Sequence, residues 1–193
     1  STENLADTLS NLAFSICLYS GQMCTAPHHI LIPAEGVITP EGLIPFEQVA
    51  ERFTQAVESL VGNPKAGPFV LGAIQNPQTL ERVAGLTGGQ TLQSGRTIEH
   101  PQFNQARTLS PTVKIYEAAD ASAFSKECFG PVALLVRVAS VDEALSLARQ
   151  MAKDHGAISG GAWVTDPALM ERMADAMNEV GVPMAFNLSG GIY

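Results

Sequence analysis

The 193-residue sequence has no cluster of basic residues, few cysteines, and no apolar run approaching the ~20 residues that cross a bilayer as a helix. Each shortage excludes something. Eleven Lys and Arg against nineteen Asp and Glu leave a formal charge of -8, so a nucleic-acid backbone would meet no electrostatic footprint. Apolar runs such as Val132 to Val136 are strand-sized, and the N-terminus lacks a charged-then-apolar leader, so no membrane partner is expected. Three cysteines is an odd number, which argues against a disulfide framework and fits a reducing compartment; a soluble, cytoplasmic protein is expected. Metal binding is also not expected. Cys24, His28 and His29 are close in sequence, but His100 and His155 are single and distant, and no second pair completes a zinc spacing.

At 46% hydrophobic the chain is long enough for one substantial core and short for two, so a single unit over residues 1–193 is expected. It begins with Ser, a helical stripe starts almost at once, and Tyr193 follows a last strand without a tail. We therefore expect a piece truncated at both ends, with part of its machinery outside it.

Periodicity predicts helices alternating with strands. Apolar residues at 5, 9, 12, 13, 16 and 17 mark one helical face over Thr2 to Tyr19, stopped at Gly21, a residue able to take positive φ. His29 to Ile32 reads as a strand closed by Pro33. Phe46 to Leu60 reads as an amphipathic helix ended by "GNP", Asn63 to Pro77 as loop, and Gln78 to Leu86 as a short helix. Thr91 to Leu92 and Thr112 to Tyr116 are strands. Val132 to Val138 is almost wholly apolar, as in a parallel strand covered on both faces. Ser140 with Glu143 forms a capping box for the next helix, Ala157 to Val164 is a strand, Asp166-Pro167 opens a helix carrying methionines as core filling, and Met184 to Asn187 is the last strand. Strand, helix, strand, helix, strand predicts an α/β fold with a largely parallel sheet and flanking helices.

"SGQMCTAPHH" sets Cys24 on a turn after the first helix. A thiol attacks a carbonyl only as thiolate, and a turn after a helix is not an electropositive helix N-terminus, so activation has to come from turn N–H groups or from residues distant in sequence. The turn alone favours a small packed cysteine, the reading also given to Cys17 and Cys128. His28 and His29 point to opposite faces if they enter the strand, so at most one faces Cys24. In "KECFGPV", Glu127 precedes a Phe-Gly-Pro turn feeding the most apolar strand. Its carboxylate is either solvated or able to accept from both hydroxyls of a ribose. Phe129 is either core packing or a wall for a nicotinamide ring.

"GQMCTA" and, farther along, "ECFGPV" resemble the cysteine and cofactor motifs of the aldehyde dehydrogenase superfamily. "VGNP…LGAIQNPQTLERV", "SPTVKIY", "VDEALSLA" and "GGAWVTDPALMERM" follow in that family's order along nearly the whole chain. The wording of "SGQMCTAPHHILIP" is similar to the phenylacetate-degradation branch. The resemblance implies that Cys24 is the nucleophile, forming a thiohemiacetal and then a thioester, with its own N–H helping to hold the oxyanion. Glu127 and Phe129 would then bind NAD or NADP, at the nicotinamide ribose and ring. It also implies an aldehyde substrate and a homo-oligomer for the full-length protein.

The family's general-base glutamate, oxyanion asparagine and dinucleotide-binding domain belong to sequence before the cysteine helix, and its C-terminal association segment to sequence after this chain. A catalytic-domain fragment, inactive alone, is therefore expected. A free-standing Cys/His thiol hydrolase and a non-catalytic interaction module are the alternatives.

Overall fold

A computed structural model describes residues 1–189; the tail reading at Tyr193 lies outside them. Helix α1 (Leu5–Cys17) starts where Asn4 Oδ1 accepts the Asp7 N–H at 3.1 Å, a cap that excludes Thr2 from the helix. A 3₁₀ turn over Leu18–Gly21 ends it. Strand β1 (His29–Pro33) leads into a hairpin of β2 (Val37–Thr39) and β3 (Gly42–Ile44), which the sequence left as turn-rich. Helix α2 (Phe46–Val61) follows as expected. The stretch read as loop carries a short helix, α3 (Gly67–Leu71), started by Pro68 in its first turn. Five residues are too few for periodicity to reveal.

Helix α4 (Gln78–Ala84) precedes strands β4 (Gln90–Gln93) and β5 (Thr112–Glu117), then a one-turn helix α5 (Ala121–Phe124) and strand β6 (Val132–Val138). Helix α6 (Val141–His155) opens on the expected box: Ser140 Oγ accepts the Glu143 N–H at 3.1 Å and Glu143 reaches back to the Ala139 N–H. Strand β7 (Gly160–Ala162), shorter than its apolar run, helix α7 (Pro167–Asn178) and strand β8 (Met184–Phe186) complete the described chain.

The main sheet runs β1-β6-β5-β4, parallel except for the antiparallel edge strand β4. β6 is buried along both faces. Ala133 and Leu135, with Val113 and Ile115, pack against α1 and α2; Val132, Leu134, Val136 and Val138 pack with Phe124, Val83 and the Ala144–Leu147 side of α6. Period-2 alternation thus feeds two cores, one on each face of the largely parallel sheet with flanking helices read from the sequence. One expectation needs correcting. β7 and β8 form a separate two-stranded parallel sheet instead of extending the main one, and only Met177 of the α7 methionines is buried. No helix among the described residues is long and apolar enough to cross a membrane.

Candidate active site

The end of α1 and the start of β6 meet through two turns. After Cys17 the chain takes three left-handed residues in succession, Tyr19 (φ 51), Ser20 (φ 56) and Gly21 (φ 66). Glycine tolerates that region, whereas each of the other two costs about 1–2 kcal/mol, so contacts must hold them there. Buried Ser20 donates its hydroxyl to the Leu71 carbonyl at 2.9 Å. Gln22 Nε2 donates to the Tyr19 and Ala73 carbonyls at 2.7 and 3.2 Å, and its Oε1 accepts the Gln75 N–H at 3.1 Å. Cys24 and Thr25 then form the middle of a turn closed by the Ala26 N–H on the Met23 carbonyl at 3.0 Å. Cys24 is exposed at that tip, while Cys17 and Cys128 are buried. Burial pushes the Cys17 thiol up to about 12 and raises that of Cys128 as well.

The second turn lies directly against the first. A Cβ on Gly21 would stand 2.2 Å from the Gly130 carbonyl oxygen, so only glycine allows this approach. His28, buried, is shared between them: its Nε2 lies 3.1 Å from the Gly21 carbonyl and 3.0 Å from that of Gly130. The ring meets Phe129 edge-on, with centroids 6.1 Å apart. Arg82 Nη1 donates to the Phe129 carbonyl at 2.8 Å. Two successive carbonyls of the Phe-Gly-Pro turn are thus held by two different side chains. His29 enters the other face and places Nε2 2.7 Å from the Phe124 carbonyl. Burial lowers both imidazole pKa values; the Glu127 carboxylate opposes this at each ring, which puts Glu127 within electrostatic reach of both.

Glu127 itself is exposed, with no hydrogen bond or ion pair to another described side chain, and Phe129 is half-buried. Phe129 lines an open cleft of about 610 Å³ together with Tyr19, Gln22, Asn76, Thr79 and Arg82. An exposed thiol on a pinned turn, beside a second turn offering a carboxylate and an aromatic ring, suits attack on a carbonyl next to a ribose-bearing ring system. Both histidine Nε2 atoms are committed to backbone carbonyls, and no thiol–imidazole hydrogen bond forms among the described residues. The thiol-hydrolase alternative therefore has no contact to build on. Nor is any group of three or more His, Cys, Asp or Glu side chains among them placed to hold a metal ion.

The two motifs, a hundred residues apart, thus meet at Gly21, His28, Phe129 and Gly130. Sequence reasoning missed Gln22, Arg82 and the bridging role of His28. The only signal for His28 was its alternation with His29, which places one ring inward.

The profile of the aldehyde dehydrogenase family matches residues 1–187. Mouse aldehyde dehydrogenase family 3 member B3 is 32% identical over 136 residues, which are 69% of this chain and 25% of that protein. The dimeric NADP-preferring aldehyde dehydrogenase of the dog is 28% identical over 142 residues, 74% of this chain and 28% of that one. The crystal structure of an NAD-dependent aldehyde dehydrogenase from Burkholderia multivorans superposes with a TM-score of 0.95 at 35% identity, covering 100% of this chain and 35% of that chain. The chain spans about a quarter to a third of the length of these relatives. With its thiol turn, its Glu-Cys-Phe-Gly-Pro turn and the layers between them, this chain belongs to the aldehyde dehydrogenase family.

Proposed function

We propose that residues 1–193 are the thiol-bearing catalytic-domain part of an NAD(P)-dependent aldehyde dehydrogenase. The observation that carries this reading is the pinning of the Cys24 turn onto the turn of Glu127 and Phe129, with Gly21 and Gly130 in backbone contact. Cys24 Sγ, as thiolate, adds to the aldehyde carbon; a C–S bond forms and the carbonyl π pair moves to oxygen, giving the thiohemiacetal alkoxide. The Cys24 N–H, at the exposed turn tip, donates to that oxygen. Bound nicotinamide supplies the hydride acceptor whose action leaves a thioester on Cys24. Cleavage of the C–S bond by water or an acceptor thiol then releases the acyl product and returns the thiolate.

The described residues fit the nicotinamide–ribose end of NAD or NADP. Glu127 offers both carboxylate oxygens to ribose hydroxyls, and Phe129 offers an aromatic wall on the cleft it lines with Tyr19 and Gln22. In this reading the rest of the dinucleotide, the general base and the oxyanion asparagine are supplied by other parts of the full-length protein. The choice between NAD and NADP rests with those parts too. A cytoplasmic homo-oligomer completes the reading. Placement in the phenylacetate-degradation branch is its finest level and rests on the wording of "SGQMCTAPHHILIP".

The test uses the full-length protein carrying this chain. Cys24→Ala is expected to abolish NAD(P)-dependent aldehyde oxidation, and steady-state turnover surviving in it would remove Cys24 from the mechanism. Glu127→Gln is expected to slow the single-turnover rate or weaken cofactor binding; if both stay unchanged, Glu127 is a solvated loop residue.

A further inference from the structure

We propose that His28 is a positioning residue of this reaction, its Nε2–H donated at once to the Gly21 and Gly130 carbonyls and thereby setting the Cys24 thiol against the Glu127–Phe129 turn. The inference rests on the dehydrogenase reading above. Both partners of Nε2 are carbonyl oxygens, which only accept, so Nε2 carries the proton. Gly21 lies three residues before the thiol; Gly130 lies one after Phe129 and three after Glu127. A donor at their meeting point therefore acts on both halves of the site. Gly21 has φ +66 and Gly130 φ +144, and these conformations turn the two carbonyls toward one buried point. The imidazole edge against Phe129 adds a second contact, so that ring is also held from the His28 side.

The chemistry asked of His28 is donation, not proton removal. Burial keeps the ring neutral at neutral pH, with Glu127 and His29 acting on it in opposite directions and the two carbonyl bonds supporting the protonated nitrogen. Removing the donor leaves two buried carbonyls facing each other without a proton between them. They move apart, and the thiol moves away from the cofactor side. Displacements of that size at a reacting centre cost rate steeply.

Glutamine can place an amide N–H₂ near the Nε2 position and donate to both carbonyls, whereas asparagine falls short and leucine has no donor. In the full-length protein, His28→Asn and His28→Leu are expected to lower the single-turnover rate of aldehyde oxidation roughly tenfold or more, and His28→Gln to recover most of it. Alkylation of Cys24 by iodoacetamide, with and without NAD(P), gives a readout independent of turnover. Cofactor should shield or retune the thiol in wild type and His28→Gln but much less in His28→Asn. If His28→Leu does not fold, the Gln and Asn pair decides. Equal impairment of Gln and Asn in folded protein, or no effect of either, overturns the proposal. Wild-type protein with no aldehyde oxidation would instead remove the dehydrogenase reading. Even then, a Cys24 alkylation rate altered in Asn and restored in Gln supports the clamp, and an unaltered one overturns it.

Discussion

Gly21→Ala should be strongly destabilising, because the methyl it adds meets backbone rather than a movable side chain. The added carbon would lie 2.2 Å from the Gly130 oxygen and 2.7 Å from its carbon, where ordinary contact begins at 3.4 Å. The two turns must therefore part by about 1.2 Å. Alanine at φ +66 costs roughly 1 kcal/mol beyond glycine. Forcing backbone apart in a packed region adds about 1–3 kcal/mol, and losing the shared His28 bridge about 1 kcal/mol more. The total is about 3–5 kcal/mol, a large share of a domain's ~5–15 kcal/mol. Urea unfolding followed by the fluorescence of Trp163, the single tryptophan, measures it directly. Cys24 alkylation in the folded variant measures the accompanying displacement of the thiol. A loss below about 1 kcal/mol, with wild-type alkylation, would show that the two turns do not meet as described.

Brief alkylation followed by peptide mapping should label exposed Cys24 well before Cys17 or Cys128; Cys17 is fully buried and its thiol is pushed up to about 12. Equal labelling would mean that the turn buries Cys24. His28 and His29 make stability depend on pH in a set direction. Burial lowers both below the ordinary 6.5, so the unfolded chain takes up these protons first; stability is complete above about 6.5 and falls as pH drops through the lower folded values. The urea midpoint should therefore decline from pH about 7.5 to about 5, with a shallower slope in His28→Gln. A midpoint flat across that range, or the same slope in the variant, would contradict the burial of these rings in neutral form.

Much of this protein is written locally. The β6 run from Val132 to Val138 announces a strand covered on both faces, because seven consecutive residues with a single charge leave no face for water. α2, α6 and α7 are legible because apolar period and capping chemistry agree, as at Ser140 and Asp166. The two motifs, being short runs of specific residues, single out Cys24, Glu127 and Phe129 as the proposed site without any geometry. Contacts between distant residues decided the rest. α3 forms within a stretch that reads as loop, and Leu71 at its end is fully buried and accepts the Ser20 hydroxyl. β7 and β8 pair with each other, since the edges of a sheet are settled by where crossovers land and not by strand composition. Above all, the left-handed path through Tyr19 and Ser20 is held by Leu71 and the Gln22 contacts, and the glycine at 21 and the inward role of His28 depend on Gly130, more than a hundred residues away. No local preference favours Tyr or Ser in that conformation. Only the Phe-Gly-Pro turn packed against Gly21 supplies the carbonyl that makes glycine necessary there and His28 a bridge.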